Sequence, residues 1–177
     1  SGQDPAAQPA LFLPLKAAGQ PIASAMSVIT DVLGNVADFK DRIREQDPLL
    51  LNSEERASPH MLGHTEGGRD LRISMPRGTE LNDGDVLALD GDVAIVVQAA
   101  AEELFIVCPN DALSWGVAGY QLGNLHHPVR FREGAMLTPA DAMVADMLGR
   151  LDIPYERKTM PFVGKRYGSH TGGHHHE

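Results

Sequence analysis

The stretch Thr138-Pro139-Ala140-Asp141-Ala142-Met143-Val144-Ala145-Asp146-Met147-Leu148-Gly149-Arg150-Leu151 carries the clearest helix-start signal in the chain and decides how its second half is read. Thr138 is expected as N-cap, with Pro139 at the first helical position, where a missing N–H costs nothing, and Asp141 in the first turn near the positive end of the helix dipole. Val144, Met147, Leu148 and Leu151 follow at i, i+3, i+4 and i+7, which makes one face apolar and able to pack on a sheet. Pro154 stops the helix, and Tyr155 to Met160 reads as a last strand. Upstream, Val129 to Phe131 and Ala135 to Leu137 read as short extended segments joined by a turn at Glu133-Gly134. Before them, Asn110 or Asp111 caps a helix that runs through Tyr120 and closes near Gly123 and Asn124, and Leu104 to Val107 is a buried strand. The order strand, helix, strand, strand, helix, strand is the split βαβ, or ferredoxin-like, plan.

The first half is punctuated differently. Gly34-Asn35, Gly67-Gly68, Pro76-Arg77-Gly78, Asp83-Gly84 and Asp90-Gly91 separate short apolar segments, as in a small β domain. Leu71, Ile73 and Met75 alternate with Arg72 and Ser74, the period of a half-buried strand. Val86 to Leu89 and Val93 to Val97 flank Asp90-Gly91 as the arms of a hairpin. Residues up to about Ser27 are rich in Ala, Gln and Pro without periodicity and read as a poorly ordered extension. The expected fold class is therefore α+β: an extension over 1–27, an N-terminal β domain over 28–98, a ferredoxin-like domain over 99–165, and a flexible histidine-containing tail over 166–177.

Composition narrows the function. The 177 residues are enough for one ordinary domain or two small ones, and an apolar content of 42% is enough to bury a core. With 24 acidic residues against 15 basic ones, a formal net charge of -9 disfavours a phosphate-neutralising surface, so no nucleic-acid partner is expected. A single cysteine, Cys108, excludes an internal disulfide and favours a reducing, cytoplasmic compartment. No stretch approaches the ~20 apolar residues of a membrane helix, and the apolar run from Ala10 to Leu15 is broken by Pro14 and lacks a preceding basic region. No membrane partner is expected.

Two places can carry chemistry. The tail Tyr167-Gly168-Ser169-His170-Thr171-Gly172-Gly173-His174-His175-His176 offers glycine and imidazole with almost no apolar area, so it cannot build a core. Neutral imidazole suits nickel, copper and zinc, and the glycines between His170 and His174 free the backbone to wrap a cation. The bland alternative is an unstructured end or a truncated purification tag, although a tag shows six consecutive histidines and here three are followed by Glu177. The second place is Gly119-Tyr120-Gln121-Leu122-Gly123-Asn124-Leu125-His126-His127-Pro128, where two histidines meet a helix end. Spacing alone leaves two readings open there, a metal ligand and a histidine that merely caps the helix. Elsewhere the signals are structural: Cys108 before Pro109 reads as an inert buried thiol, His60 and His64 as surface residues, and the methionines as core fillers. No phosphate loop, nucleophile elbow or paired carboxylates stand out.

A family resemblance joins these features. Val32-Leu33-Gly34-Asn35-Val36-Ala37-Asp38, Ser53-Glu54-Glu55-Arg56, Ile73-Ser74-Met75-Pro76-Arg77-Gly78 and Leu81-Asn82-Asp83-Gly84-Asp85-Val86-Leu87 precede Tyr120-Gln121-Leu122-Gly123-Asn124-Leu125-His126 and a histidine-bearing tail. In that order, from about Val28 to His176, the chain resembles the urease accessory nickel metallochaperones, the UreE family. The resemblance implies a peptide-binding-like β domain joined to a ferredoxin-like metal-binding domain, in a homodimer without enzymatic activity of its own. The histidine two places after the Gly-Asn pair, His126, would bind Ni(II) together with its symmetry mate at the two-fold axis. His170 is the first tail candidate, with His174, His175 and His176 as further ones, and His127 is not expected as a ligand of the shared site. The implied recipient is the urease accessory GTPase, with the apo-urease complex downstream. Gln121 stands where the family often has histidine, so internal secondary sites are not expected.

Nickel rests on the resemblance, since similar ligands also take Zn(II) and bind Cu(II) more tightly. Imidazole binds when neutral, so capture is expected to weaken as pH falls through the ordinary histidine range near ~6.5. Two competing readings are a metal-dependent hydrolase using His126 and His127, which needs a third ligand and an open water position, and a general nickel or zinc store.

Overall fold

The structure is a computed structural model that describes residues 28–167; the expected N-terminal extension and His170, His174, His175 and His176 of the tail lie outside the described residues. The fold is α+β, as the sequence pattern implies. Two sheets make the N-terminal β domain. β1 (Val28–Ile29), β5 (Asp70–Ser74) and β4 (His60–His64) form one, in that spatial order; β2 (Gly34–Asn35), β6 (Asp85–Asp90), β7 (Val93–Ala99) and β3 (Glu45–Leu51) form the other. Leu71, Ile73 and Met75 are buried while Arg72 is exposed, and they pack with Leu49, Leu51, Ile95 and Val97 into one core. The Asp90-Gly91 hairpin is present, with Asp90 opposite Val93 and Gly91 at φ 64° in the left-handed region that glycine tolerates.

Strands β1 to β4 have no counterpart in the sequence pattern, and β3 is the longest of them. β3 runs parallel to β7 although Pro48 sits in its middle. It is an edge strand, so the proline's missing N–H removes no ladder bond on the open side. Beside it, buried Asp47 accepts hydrogen bonds from the Thr65 hydroxyl at 2.9 Å, the Gly67 N–H at 2.7 Å and the Arg69 guanidinium at 2.6 Å. A Cβ at Gly67 would lie 2.7 Å from both carboxylate oxygens, so only glycine lets that backbone come so close.

The short helix α1 (Ser53–Ala57) is set by Asn52, whose side chain accepts from the Glu54 and Glu55 N–H groups while Glu55 accepts from the Asn52 N–H at 2.8 Å. This reciprocal capping box lets a helix of little more than one turn persist and aims its side chains at the second domain. Ser53 donates through its N–H and its hydroxyl to Glu102 at 2.9 and 2.8 Å. Arg56, only 4% exposed, donates to the Leu51 carbonyl at 2.9 Å and across to the Phe162 carbonyl at 2.8 Å. The covalent passage between the domains is equally tight, since Ala100 alone separates β7 from the next strand and donates its N–H to the Leu51 carbonyl.

The C-terminal domain comprises β8 (Ala101–Val107), α2 (Ala112–Asn124), β9 (Arg130–Arg132), β10 (Ala135–Pro139), α3 (Ala142–Arg150) and β11 (Tyr155–Pro161). Its antiparallel sheet is ordered β11-β8-β10-β9, the split βαβ arrangement. Phe105 and Val107 pack against Ala118 and Leu122 of α2 and against Val144, Met147 and Leu148 of α3.

Two boundary expectations are overturned by the structure. Thr138 is a fully buried strand residue whose hydroxyl donates to the Pro128 carbonyl at 3.0 Å, and Pro139 closes β10, so neither starts α3. Asp141 is the N-cap instead, accepting from the N–H groups of Met143 at 2.8 Å and Val144 at 3.2 Å; a carboxylate near the dipole's positive end outcompetes a hydroxyl already engaged elsewhere. Leu151 is the C-cap of α3 and 38% exposed, not part of the buried face. The helix α2 ends at Asn124 with Leu125 as its C-cap, where the Gly123-Asn124 signal places its close. Cys108 is half-buried, its thiol 3.8 Å from the Ile106 carbonyl.

Candidate metal centre

The end of α2 is built from backbone bonds that tie His126 and His127 to opposite tasks. The N–H of His126 donates to the Gly123 carbonyl at 3.0 Å and the N–H of His127 to the Leu122 carbonyl at 3.1 Å, with Leu125 as C-cap. This is the Schellman pattern, and its turning residue, ordinarily glycine, is His126 at φ 55°. A side chain in that left-handed region costs roughly 1–2 kcal/mol. His126 is nonetheless exposed, so no packing inside the subunit repays the strain. The end of α3 provides an internal comparison: Asp152 turns at φ 53°, with Asp152 donating to Gly149 at 3.3 Å and Ile153 to Leu148 at 3.0 Å. There the following residue is Ile153, buried against Leu148, which is the apolar contact this motif favours.

At α2 the equivalent place belongs to His127. Its Nδ1 is enclosed without a hydrogen-bond partner among the described residues, and its Nε2 lies 3.9 Å from the Asp141 carboxylate. Desolvation lowers its pKa below the ordinary histidine value; Asp141 opposes this and Arg166 adds to it. His127 is thereby a mostly neutral wedge under the helix end. His126 and His127, adjacent in sequence, meet different surroundings: one residue is exposed and the other half-buried. The sequence does not signal that Asp141 both caps α3 and faces His127, because Thr138-Pro139 carries the stronger helix-start pattern.

Both histidines line a cleft of about 330 Å³ between the domains, with Glu54 from α1, Asp141 from α3, and Arg166 from the root of the tail. Among the described residues no group of three His, Cys, Asp or Glu side chains converges as a metal site. His60 and His64 are exposed on β4, as expected, where His60 meets the Ser74 hydroxyl at 3.1 Å and His64 meets Asp70 at 2.8 Å. No helix among the described residues is long and apolar enough to cross a membrane.

The outer face of α2 leads to His126. It bears Leu113, 78% exposed, and Tyr120, 68% exposed, and between and beyond them Gly116, Gly119 and Gly123, where an added Cβ would meet nothing within 4 Å. Three glycines inside a helix cost on the order of 1 kcal/mol each relative to alanine, with no steric reason for them in this subunit.

Fold and site together define a class: a small β domain joined to a ferredoxin-like domain that presents one solvent-facing imidazole on a strained helix end. The comparisons with known proteins specify it further. Residues 29–100 match the UreE urease accessory protein, N-terminal domain, and residues 102–177 match the UreE urease accessory protein, C-terminal domain. The chain belongs to the UreE urease accessory protein family. Similar relatives include proteins named urease accessory protein UreE from Burkholderia pseudomallei and Burkholderia mallei, each 38% identical over 128 residues, or 72% of this chain and 63% of the relative. One from Burkholderia ambifaria is 37% identical over the same shares. The matched stretch thus spans less than two thirds of the curated relatives' length.

Proposed function

We propose that this protein is a cytoplasmic nickel metallochaperone of urease maturation that works as a homodimer and performs no catalysis. The observation that carries the reading is His126: an exposed imidazole held at a left-handed position where glycine would be less strained, at the end of a helix face of bare glycines and exposed apolar side chains. That face suits close approach of a second α2. Two copies meeting along it would bring two His126 side chains together, each supplying half of a centre that one subunit does not enclose.

Two imidazoles fill only part of a nickel shell, leaving positions for water, for His170, and for His174, His175 and His176 of the tail. A shell completed by exchangeable ligands can be dismantled one bond at a time, which is what delivery requires. The recipient in this reading is the urease accessory GTPase acting on apo-urease. Zn(II) and Cu(II) are the competing cations.

Calorimetric titration of the purified protein is expected to show one tight nickel per two chains, abolished by His126→Ala. Tight binding of unchanged stoichiometry in that variant would defeat the proposal, and many weak equivalent sites would favour storage over delivery. A hydrolase built on His126 and His127 requires ligands that converge, whereas these two imidazoles occupy different environments.

A further inference from the structure

The C-terminal sheet ends on an open edge. In the order β11-β8-β10-β9, strand β9 has a neighbouring strand on one side only. The two-residue turn Glu133-Gly134 makes Arg132 and Ala135 the hydrogen-bonded pair of the hairpin, so the N–H and C=O of Arg130 and Arg132 point at β10 and those of Phe131 point away from it. Val129 has the same phase as Phe131: its N–H donates to the Lys165 carbonyl at 2.8 Å and its C=O accepts from the Lys165 N–H at 3.0 Å, both on the open side. Phe131 is therefore the next rung of a ladder whose first rung is filled, and among the described residues no backbone group takes it. The side chains sort by face. Arg130 and Arg132 lie opposite Leu137 and Ala135, on the face where Leu137 packs with Phe162. Both are exposed, as is Lys165, and none of the three forms an ion pair among the described residues. Phe131 lies on the other face, 49% exposed, with the Tyr167 ring, 56% exposed, 5.4 Å from it. The acidic residue of this stretch, Glu133, is in the turn. A short charged strand is an ordinary guard against edge-to-edge aggregation, but such a guard has no use for a pair of solvent-facing aromatic rings.

We propose that β9 is a docking strand for an acidic extended segment of another protein, which adds to the sheet with carboxylates opposite Arg130 and Arg132 and an apolar or aromatic residue opposite Phe131. Cross-strand neighbours share a face, so alternating carboxylate and apolar side chains are what this edge complements. A second copy of the chain does not fit. Antiparallel self-pairing about Phe131 sets Arg130 against Arg132, like charge against like charge. Single-stranded nucleic acid also takes arginine and aromatic rings, but it leaves the outward N–H and C=O of Phe131 unused. Lys165 closes the edge upstream at Val129 and the turn at Glu133-Gly134 closes it downstream, so the added segment is short and its register is fixed. Because β9 begins four residues after His126, the bound partner is brought next to the end of α2, and this holds whichever cation His126 binds.

The probe is a fluorescein-labelled peptide in which glutamates alternate with valine and tyrosine between threonine ends, titrated against the full chain and read by anisotropy. The parent protein is expected to bind it. Arg130→Glu/Arg132→Glu is expected to bind it about tenfold more weakly, and to bind better than the parent does a peptide with lysine in place of each glutamate. Strand addition is tested separately, with the acidic peptide N-methylated at alternate peptide bonds in each of the two phases. One phase removes the donors that face β9 and is expected to abolish binding, while the other leaves it unchanged. These arms use the unaltered protein, so a misfolded variant does not enter them. No binding by the parent, equal binding by the charge-reversed variant, or the same response to both N-methylated phases would overturn the proposal. An oligothymidylate that displaces the peptide at equal concentration would reassign the edge to nucleic acid. A lower sedimenting mass of Arg130→Glu/Arg132→Glu than of the parent would assign it to a second copy of the chain, and either result overturns the proposal.

Discussion

His126 is where backbone strain and proposed function meet on one residue. Replacing it with glycine relieves the left-handed strain, so His126→Gly is expected to raise unfolding stability by up to about 1 kcal/mol while removing tight nickel binding; denaturant unfolding and metal titration on the same sample check both. If stability fell instead, the imidazole would be supporting the fold. His127 is expected to behave oppositely. His127→Leu puts an apolar group where the motif favours one and removes the enclosed, unpaired Nδ1, so it should gain about 1 kcal/mol and keep nickel stoichiometry unchanged. The histidine pair was legible in sequence as a place, but the division of labour within it was not. Gly123 and Asn124 mark the helix stop and α2 ends at Asn124, with Leu122 and Leu125 still facing the core. Which of the two neighbouring imidazoles is exposed depends on the left-handed turn at His126, which no glycine announces.

Elements whose partners lie close in sequence could be read directly, and those whose partners are remote could not. The β6–β7 hairpin announces itself through Asp90-Gly91, and α3 through its apolar spacing. By contrast, β3 holds Pro48 and two acidic residues and is a strand only because β7, more than forty positions away, pairs with it. β1 depends likewise on β5. The turn after β4 is fixed by Asp47, and here pH is the probe. Burial raises the Asp47 pKa, but hydrogen bonds from Gly67, Thr65 and Arg69 outweigh it and hold the group below its ordinary value. The folded state therefore binds a proton less readily than the unfolded one, so the contribution is present above pH ~3.9 and lost as pH falls through the lower folded value. Asp47→Asn should cost stability near neutrality, and its deficit against the parent should shrink below about pH 4, as read from urea midpoints at both pH values. A constant deficit would mean the carboxylate's charge plays no part.

At the scale of the molecule, two domains legible as separate patterns are fastened by residues with no motif of their own. Arg56 lies within the family-like segment Ser53-Glu54-Glu55-Arg56, yet nothing in the sequence signals that its guanidinium crosses to Phe162. Arg56→Ala leaves the Phe162 carbonyl without its buried donor, at a cost of about 1–3 kcal/mol, and removes one of the two donors to the Leu51 carbonyl, which keeps the Ala100 N–H. The expected outcome is a loss of a few kcal/mol and a broadened or two-step unfolding transition, followed by intrinsic fluorescence of Trp115 against far-ultraviolet circular dichroism; coincident single transitions would show the fastening to be dispensable. Ala100 bears on this too. A connection of one residue has two soft torsions, and its N–H is already pinned to Leu51, so it leaves almost no slack. A recipient that took hold of the outer β4 edge would therefore carry the α2 terminus with it, as a handle carries a blade.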